Sequence, residues 1–227
     1  MFLAGVLHGL GPDHLAAIAT YGAASGSRWR GITLFALRFA AGHAAVLALF
    51  AVLGQFTRFV LPPAWERGFE LAAAGLLMMS GAGLVAAVLS GRLRLHSHGH
   101  DHGEGKHRHV HVHLRSPENH QHTHSTLAAG LGALFALGGV RTLAAVVPVA
   151  TAGTAALSAV RISVFALGIV LAMAAFGALA GRAFSRLAAT GAEDRSVLRG
   201  RMRLACLASG TFAMLAGVVV LASVLEA

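Results

Sequence analysis

Six long apolar blocks constrain this chain more than any other feature of its sequence. Each is roughly 20 residues long, which is the length a helix needs to cross the hydrocarbon core of a bilayer. Of the 227 residues, 56% are hydrophobic and 12% are charged, whereas soluble domains carry about twice that charged fraction. Blocks of this kind predict an all-α membrane protein. The predicted spans are 2–24, 32–54, 69–90, 127–149, 162–181 and 204–225.

The distribution of Lys and Arg predicts how these spans are oriented. Thirteen basic residues lie in the first, third and fifth connections, against three on the opposite side. Basic residues mark the cytoplasmic side, so both termini are expected outside, in a multi-pass protein of the cytoplasmic (inner) membrane. This pattern accounts for the net charge of +9 without nucleic-acid binding. The cytoplasmic set is Arg28, Arg30, Arg92, Arg94, Lys106, Arg108, Arg115, Arg182, Arg186, Arg195, Arg199, Arg201 and Arg203; the outer set is Arg58, Arg67 and Arg161.

The two halves of the chain resemble each other. GPDHLAAI at 11–18 aligns with GVRTLAAV at 139–146, although an Ala-rich composition alone could produce such a match. Three spans per half would give the repeats opposite orientations, the plan of many secondary transporters, whose sites lie near the midplane. The predicted organisation is a three-helix repeat over 1–91, a His-rich cytoplasmic loop over 92–125 and a second three-helix repeat over 126–227.

The stretch HGLGPDH at 8–14 interrupts the first span. On a straight helix, Asp13 and His14 would lie about 140° and 240° around the axis from His8 and could not share a ligand. Gly9 and Gly11 loosen the helix, and Pro12 removes a backbone donor and clashes with the preceding turn. We therefore predict a break near Gly11-Pro12 that lets these side chains converge.

Three of the fourteen histidines, His8, His14 and His43, lie within predicted spans. With Asp13 they form a ligand set suited to Ni, Co, Zn or Cu, and less to Ca or Mg. No thiol joins the set, which disfavours Cu(I). Polar groups are costly at this depth, so a functional site is the default interpretation. The alternative is structural: hydrogen-bonded packing histidines, with Asp13 as a partner of the helix dipole. The lone Cys206 excludes an intramolecular disulfide.

The other eleven histidines lie in the hydrophilic segment 96–124, mostly at every second position. Imidazoles at this density predict metal binding, and the polar composition predicts no ordered structure without metal. The predicted loop ligands are His96, His98, His100, His102, His107, His109, His111, His113, His120, His122 and His124.

The motif HGLGPDH resembles the H-x4-D-H signature of the nickel/cobalt transporter superfamily. RFAAGHAAVLAL, with Arg38, Gly42 and His43, is similar to the Gly-His element of the following helix in that family. The His-rich loop is similar to that of the efflux branch, and six spans with the signature in the first resemble the urease-associated nickel permeases. The resemblance implies four metal ligands: His8, Asp13, His14 and His43.

The second half departs from that family, whose members tend to carry an Asp-Thr or Pro-Cys-Pro motif where this chain has Val140-Arg141-Thr142. Arg141 falls near the middle of its predicted span and needs a partner there. We hypothesise that it pairs with Asp13, which the repeat alignment sets opposite it, so that Arg141, like Arg38, is a candidate charge partner or gating residue. The alternative is that Arg141 reaches up to the membrane interface.

These observations predict a permease for nickel or cobalt, with zinc as a further candidate, rather than an enzyme. The loop favours efflux over uptake. The expected partners are the divalent cation substrate and the lipid bilayer, with a homo-oligomer or a metallochaperone left open and no cofactor beyond the transported metal. Two alternatives from other classes are an intramembrane zinc hydrolase and a metal sensor or storage protein that uses the loop alone.

Overall fold

The structure, a computed structural model, describes residues 1–25, 29–57, 62–91, 94–101, 106–113, 124–138, 153–189 and 195–226. Within these ranges the chain is almost entirely helical, with one β-hairpin. The elements are α1 Phe2–Gly9, α2 Pro12–Ser25, α3 Trp29–Thr57, α4 Pro63–Leu89, β1 Arg94–Asp101, β2 Lys106–His113, α5 His124–Gly138, α6 Ala155–Ala189 and α7 Arg195–Leu225.

Four of the described helices contain segments long and apolar enough to cross a membrane: Trp29–Leu53, Pro63–Leu89, Ala155–Arg186 and Gly200–Leu225. They correspond to the predicted second, third, fifth and sixth spans, so the chain is a membrane-helical protein. The predicted start of the fifth span was wrong, because α6 begins at Ala155 and continues through Arg161. Arg is a good helix former, so its charge does not end the helix.

The break predicted in the first span is confirmed. α1 ends at Gly9 and α2 begins at Pro12, whose missing N–H is tolerated in the first turn of a helix. Between the two helices, Gly11 donates a backbone hydrogen bond to the His8 carbonyl over 3.0 Å. A single span over 2–24 is thus replaced by two short helices that meet at the HGLGPDH stretch.

The predicted fourth span, 127–149, coincides only in part with the described chain. Its first half belongs to α5, in which 128–138 is a short apolar helix. Residues 139–152, including Arg141, lie outside the described residues.

Part of the His-rich loop forms a hairpin, so the prediction that it lacks ordered structure was wrong for β1 and β2. The two strands are antiparallel, with His96 opposite His111, His98 opposite His109 and His100 opposite His107. Alternation with period two, as in the HVHVH stretch of 109–113, is the pattern of a strand, and β-branched valines favour it.

Glycines allow the helices around the centre of the molecule to pack with their backbones in contact. A Cβ on Gly5 of α1 would collide with the Phe165 carbonyl of α6, and a Cβ on Gly168 would collide with the Phe2 carbonyl. The same is true of Gly42 in α3, against the Ala129 carbonyl of α5. Small residues at crossing points are the usual means of close helix packing in membranes.

Candidate metal centre

Three histidines from three helices converge on one point. The Nε2 atom of His43 lies 3.0 Å from Nε2 of His8 and 3.3 Å from Nε2 of His14. His14 and His43 are buried, whereas His8 is partly exposed. One ring nitrogen from each histidine lies within 4.8 Å of the others, which is a group that could hold a metal ion.

The break between α1 and α2 brings His8 and His14 together. His8 lies in the last turn of α1 and His14 in the first turn of α2, with ring centroids 5.2 Å apart. A Cβ at Gly11 would lie 2.7 Å from Asp13 Oδ1 and 2.8 Å from His14 Nδ1, so a larger residue there would displace these two side chains. The local sequence therefore favours the convergence that a continuous helix would prevent.

His43 is oriented by the backbone of α5. Its Nδ1–H donates to the Gly132 carbonyl over 3.1 Å, and a Cβ on Gly132 would collide with the Phe39 carbonyl of α3. The absence of a side chain at Gly132 thus allows α5 to approach α3 closely enough for this hydrogen bond. Histidines that bind metals commonly donate their second ring N–H to such a group.

Asp13 lies on the far side of the His14 ring from the convergence point. Its Oδ1 is 2.8 Å from His14 Nδ1, a charge contact that is bent away from a linear hydrogen bond. This position fits a carboxylate that orients and polarises a metal-binding histidine. The group of nitrogens that could hold a metal comprises His8, His14 and His43 and does not extend to the Asp13 carboxylate.

The partners of the Nδ1 atoms determine which nitrogens face inward. The Gly132 carbonyl only accepts, so the Nδ1 atom of His43 carries its proton. In a neutral ring, the Nε2 atom of His43 then presents a lone pair 3.0 Å from His8 Nε2 and 3.3 Å from His14 Nε2. A metal ion at this point could bind that lone pair.

The spacing of the nitrogens also suits a transition metal. Two nitrogens bound at about 2.0–2.1 Å from one ion lie about 2.9 Å apart at a right angle and about 3.4 Å apart at a tetrahedral angle. The separations of His43 Nε2 from His8 Nε2 and His14 Nε2, 3.0 and 3.3 Å, fall between these values.

Aromatic rings enclose the cluster. Phe39 and Phe135 lie 6.3 and 6.4 Å from the His14 ring, and Phe165 lies 6.0 Å from the His8 ring. Phe39 also lies 6.3 Å from His43, one helical turn away on α3. All three phenylalanines are buried, so the histidines lie in apolar surroundings where an uncompensated charge would be costly.

The remaining predicted residues lie apart from this group or outside the description. Arg38 is a half-buried residue of α3, and Arg141 lies outside the described residues, so its pairing with Asp13 stays a prediction. Seven loop histidines lie on β1 and β2, and His124 is the first residue of α5. His102, His120 and His122 lie outside the described residues.

Sequence reasoning missed Gly132 and the phenylalanines around the cluster. Phe39 precedes His43 by four residues, a spacing that puts both on one helix face and could have been noticed. Gly132 gives no comparable signal, because it acts through its carbonyl and its lack of a side chain on a helix distant in sequence.

Comparison of the chain with family models, with curated proteins and with solved structures found no match. The fold and the site define a membrane-helical protein with a buried histidine cluster that could bind a metal ion.

Proposed function

We propose that this protein is a permease for divalent transition metal ions, and that His8, His14 and His43 bind the ion halfway across the membrane. The observation that carries the proposal is the convergence of three imidazole rings, with His43 Nε2 3.0 Å from His8 Nε2 and 3.3 Å from His14 Nε2, in a bundle whose long helices could cross a membrane. Buried polar groups at this depth are expensive and mark substrate pathways. The ion is the substrate rather than a resident cofactor.

Nitrogen ligands support nickel, cobalt or zinc as the substrate. Imidazole suits these ions, whereas calcium and magnesium prefer oxygen ligands. The resemblance of HGLGPDH and of RFAAGHAAVLAL to nickel/cobalt transporters points to nickel or cobalt first. In this proposal, Asp13 orients the His14 ring and does not bind the ion directly.

The packing of the helices supports a six-span architecture of two inverted repeats. α3 packs on α6, and α4 packs on α7. In two inverted repeats, α3 is equivalent to α6 and α4 is equivalent to α7, so each pair joins two equivalent helices. The contact of α3 with α5 has its counterpart in the contact of α6 with α1. Alternating access would then arise from rocking of one half against the other around the midplane site.

The gathering of basic residues at one end supports the proposed orientation. Arg30 and Arg182 both lie 5.6 Å from the Trp29 ring, at the beginning of α3 and the end of the membrane-spanning part of α6. Arg203, near the start of α7, donates to the Val88 carbonyl at the end of α4. We assign this end to the cytoplasm, together with the hairpin, whose β2 strand lies beside α2.

The direction that we favour is efflux. A His-rich segment on the cytoplasmic side would collect ions from the compartment that efflux depletes. No nucleotide-binding P-loop motif occurs in the sequence, so we expect coupling to an ion gradient or to the membrane potential. Protons are suitable coupling ions, because metal binding displaces protons from histidine.

The decisive experiment is metal flux in proteoliposomes of the pure protein, measured for Ni²⁺, Co²⁺, Zn²⁺ and Mn²⁺. We expect wild-type flux of at least one of the first three ions and its loss in His14→Ala. Ser158→Ala, which alters another buried polar side chain of a membrane helix, serves as the matched control and should retain flux.

Equal flux in wild type and His14→Ala would contradict the proposed site. A protein that binds zinc stoichiometrically but moves no ion would favour the hydrolase alternative instead. Binding that is unaffected by His14→Ala and confined to the loop would favour a sensor or storage protein.

A further inference from the structure

A cavity lies on one side of the histidine cluster. It has a volume of about 480 Å³ and lies between α2, α3, α4 and α5. On α3 it is lined by Phe35 and Phe39, which precede His43. On α4 it is lined by residues of the C-terminal half of that helix, such as Leu84. The cavity therefore occupies the half of the molecule toward Trp29, which the proposed topology assigns to the cytoplasm.

Two phenylalanine rings separate this cavity from the cluster. Phe39 and Phe135 line the cavity and also face the His14 ring, at centroid distances of 6.3 and 6.4 Å. Their own rings are 5.5 Å apart in a T-shaped contact. Phe39 is fully buried and Phe135 is 4% exposed, so both rings lie in the interior between the cavity and the cluster.

We infer that Phe39 and Phe135 form a hydrophobic gate between the ion site and the cavity on the Trp29 side, closed in this structure. The inference rests on the proposed transport function, since a gate matters only if ions pass. An apolar constriction excludes a hydrated cation by dewetting, without any charged group. His8, on the other side of the cluster, is the most accessible of the three histidines, as expected when the Trp29 side is closed.

The arrangement of α3 explains how the gate could be coupled to the site. Phe35, Phe39 and His43 follow one another at intervals of four residues on one helix face, and the Phe39 ring stacks at 13° to the His43 ring. A rotation or shift of α3 against α5 would move the His43 ligand and the Phe39 ring together. Glycines at the crossing keep the two backbones in contact.

The test measures access to the cluster by thiol labelling, without using metal. In a Cys206→Ala background, which removes the lone thiol, His14→Cys places a reporter at the cluster. A charged, membrane-impermeant methanethiosulfonate is added from the Trp29 side of oriented vesicles. Adding Phe39→Ala or Phe135→Ala should raise the modification rate at least roughly tenfold, because the dewetted barrier is removed.

Phe165→Ala is the matched control, because Phe165 also faces a histidine of the cluster but is not among the residues that line the cavity. It should leave the rate near that of the parent, and Phe135→Leu, which keeps an apolar plug, should raise it less than Phe135→Ala. A second reporter, Ser80→Cys in the cavity lining, should react from the Trp29 side with the gate intact.

Equal rates in the Phe39, Phe135 and Phe165 variants would overturn the gate, as would an unreactive Ser80→Cys. Size-exclusion profiles identify variants that do not fold. If an alanine variant does not fold, the labelling rate of Phe135→Leu is compared with that of the parent instead. The labelling result and the flux result are independent. If the protein moves ions but the labelling rate does not depend on Phe39 and Phe135, only the gate is refuted. If the protein moves no ion, the transport proposal is refuted whatever the labelling shows.

Discussion

At the scale of single residues, the site depends on what lies behind each ligand as much as on the ligands. His14 and His43 present Nε2 to the centre because Asp13 and the Gly132 carbonyl occupy their Nδ1 atoms. Outer contacts of this kind orient metal-binding histidines. The sequence suggested Asp13 as a direct ligand, because its type and position match the ligand set, whereas the structure puts its carboxylate behind the His14 ring.

The two roles of Asp13 predict different results for Asp13→Asn, which keeps the shape and removes the charge. An orienting carboxylate predicts that Co²⁺ affinity falls by about 10- to 100-fold while the bound ion keeps its nitrogen ligands. Isothermal titration would measure the affinity and X-ray absorption the ligand set. Glu66→Gln, which removes an acidic charge from the first turn of α4, is the matched control and should bind normally.

Loss of an oxygen ligand from the X-ray absorption spectrum of Asp13→Asn would show that Asp13 binds the ion directly. An unchanged affinity would show that the carboxylate plays neither role.

At the scale of helices, some features could be predicted from local sequence and others could not. The break at Gly11-Pro12 was predictable, because glycine and proline act on their own turn of helix. The convergence of His43 with His8 and His14 could be predicted only from the residue type and from the similar depth of these residues in their predicted spans. The contact of α3 with α5 could not be predicted, because it depends on Gly42 and Gly132, which are 90 residues apart and carry no chemical signal. The hairpin was missed because a polar composition was given more weight than period-two alternation.

The glycines of α5 offer a matched test of this contact. A Cβ at Gly132 would collide with the Phe39 carbonyl, whereas a Cβ at Gly130 meets nothing within 4 Å. Gly132→Ala should destabilise the protein by about 1–3 kcal/mol through overpacking and weaken metal binding by displacing the carbonyl that orients His43. Gly130→Ala should be neutral or stabilising by up to about 1 kcal/mol, since alanine is the better helix former.

Denaturant unfolding in detergent would measure the stabilities of both glycine variants, and cobalt titration their affinities. We expect Gly132→Ala to lower the free energy of unfolding and Gly130→Ala to leave it unchanged or raise it. A Gly132→Ala protein as stable and as tight-binding as wild type would mean that α3 and α5 are not packed through this contact.

At the scale of the whole molecule, the chain contains two separate groups of histidines with different surroundings. Three are enclosed by membrane helices, and seven more lie on a hairpin that follows α4. The buried group can hold one ion between fixed rings, whereas the hairpin and its flanking residues offer many imidazoles in a polar segment. We therefore expect transport to require the buried group and the loop to change only how much metal is collected.

Replacing residues 96–124 with a Gly-Ser linker of equal length should separate these contributions. The number of ions bound per protein should fall to about one, while a measurable flux remains. Bound metal should still stabilise the loop-free protein, by about 2.7 kcal/mol at a free concentration of 100 times the dissociation constant. Combining the replacement with His14→Ala should remove both the remaining ion and this stabilisation, as thermal unfolding with and without Co²⁺ would show. If the loop-free protein instead loses all binding and flux, the metal chemistry of this protein resides in the loop and the buried histidines are packing residues.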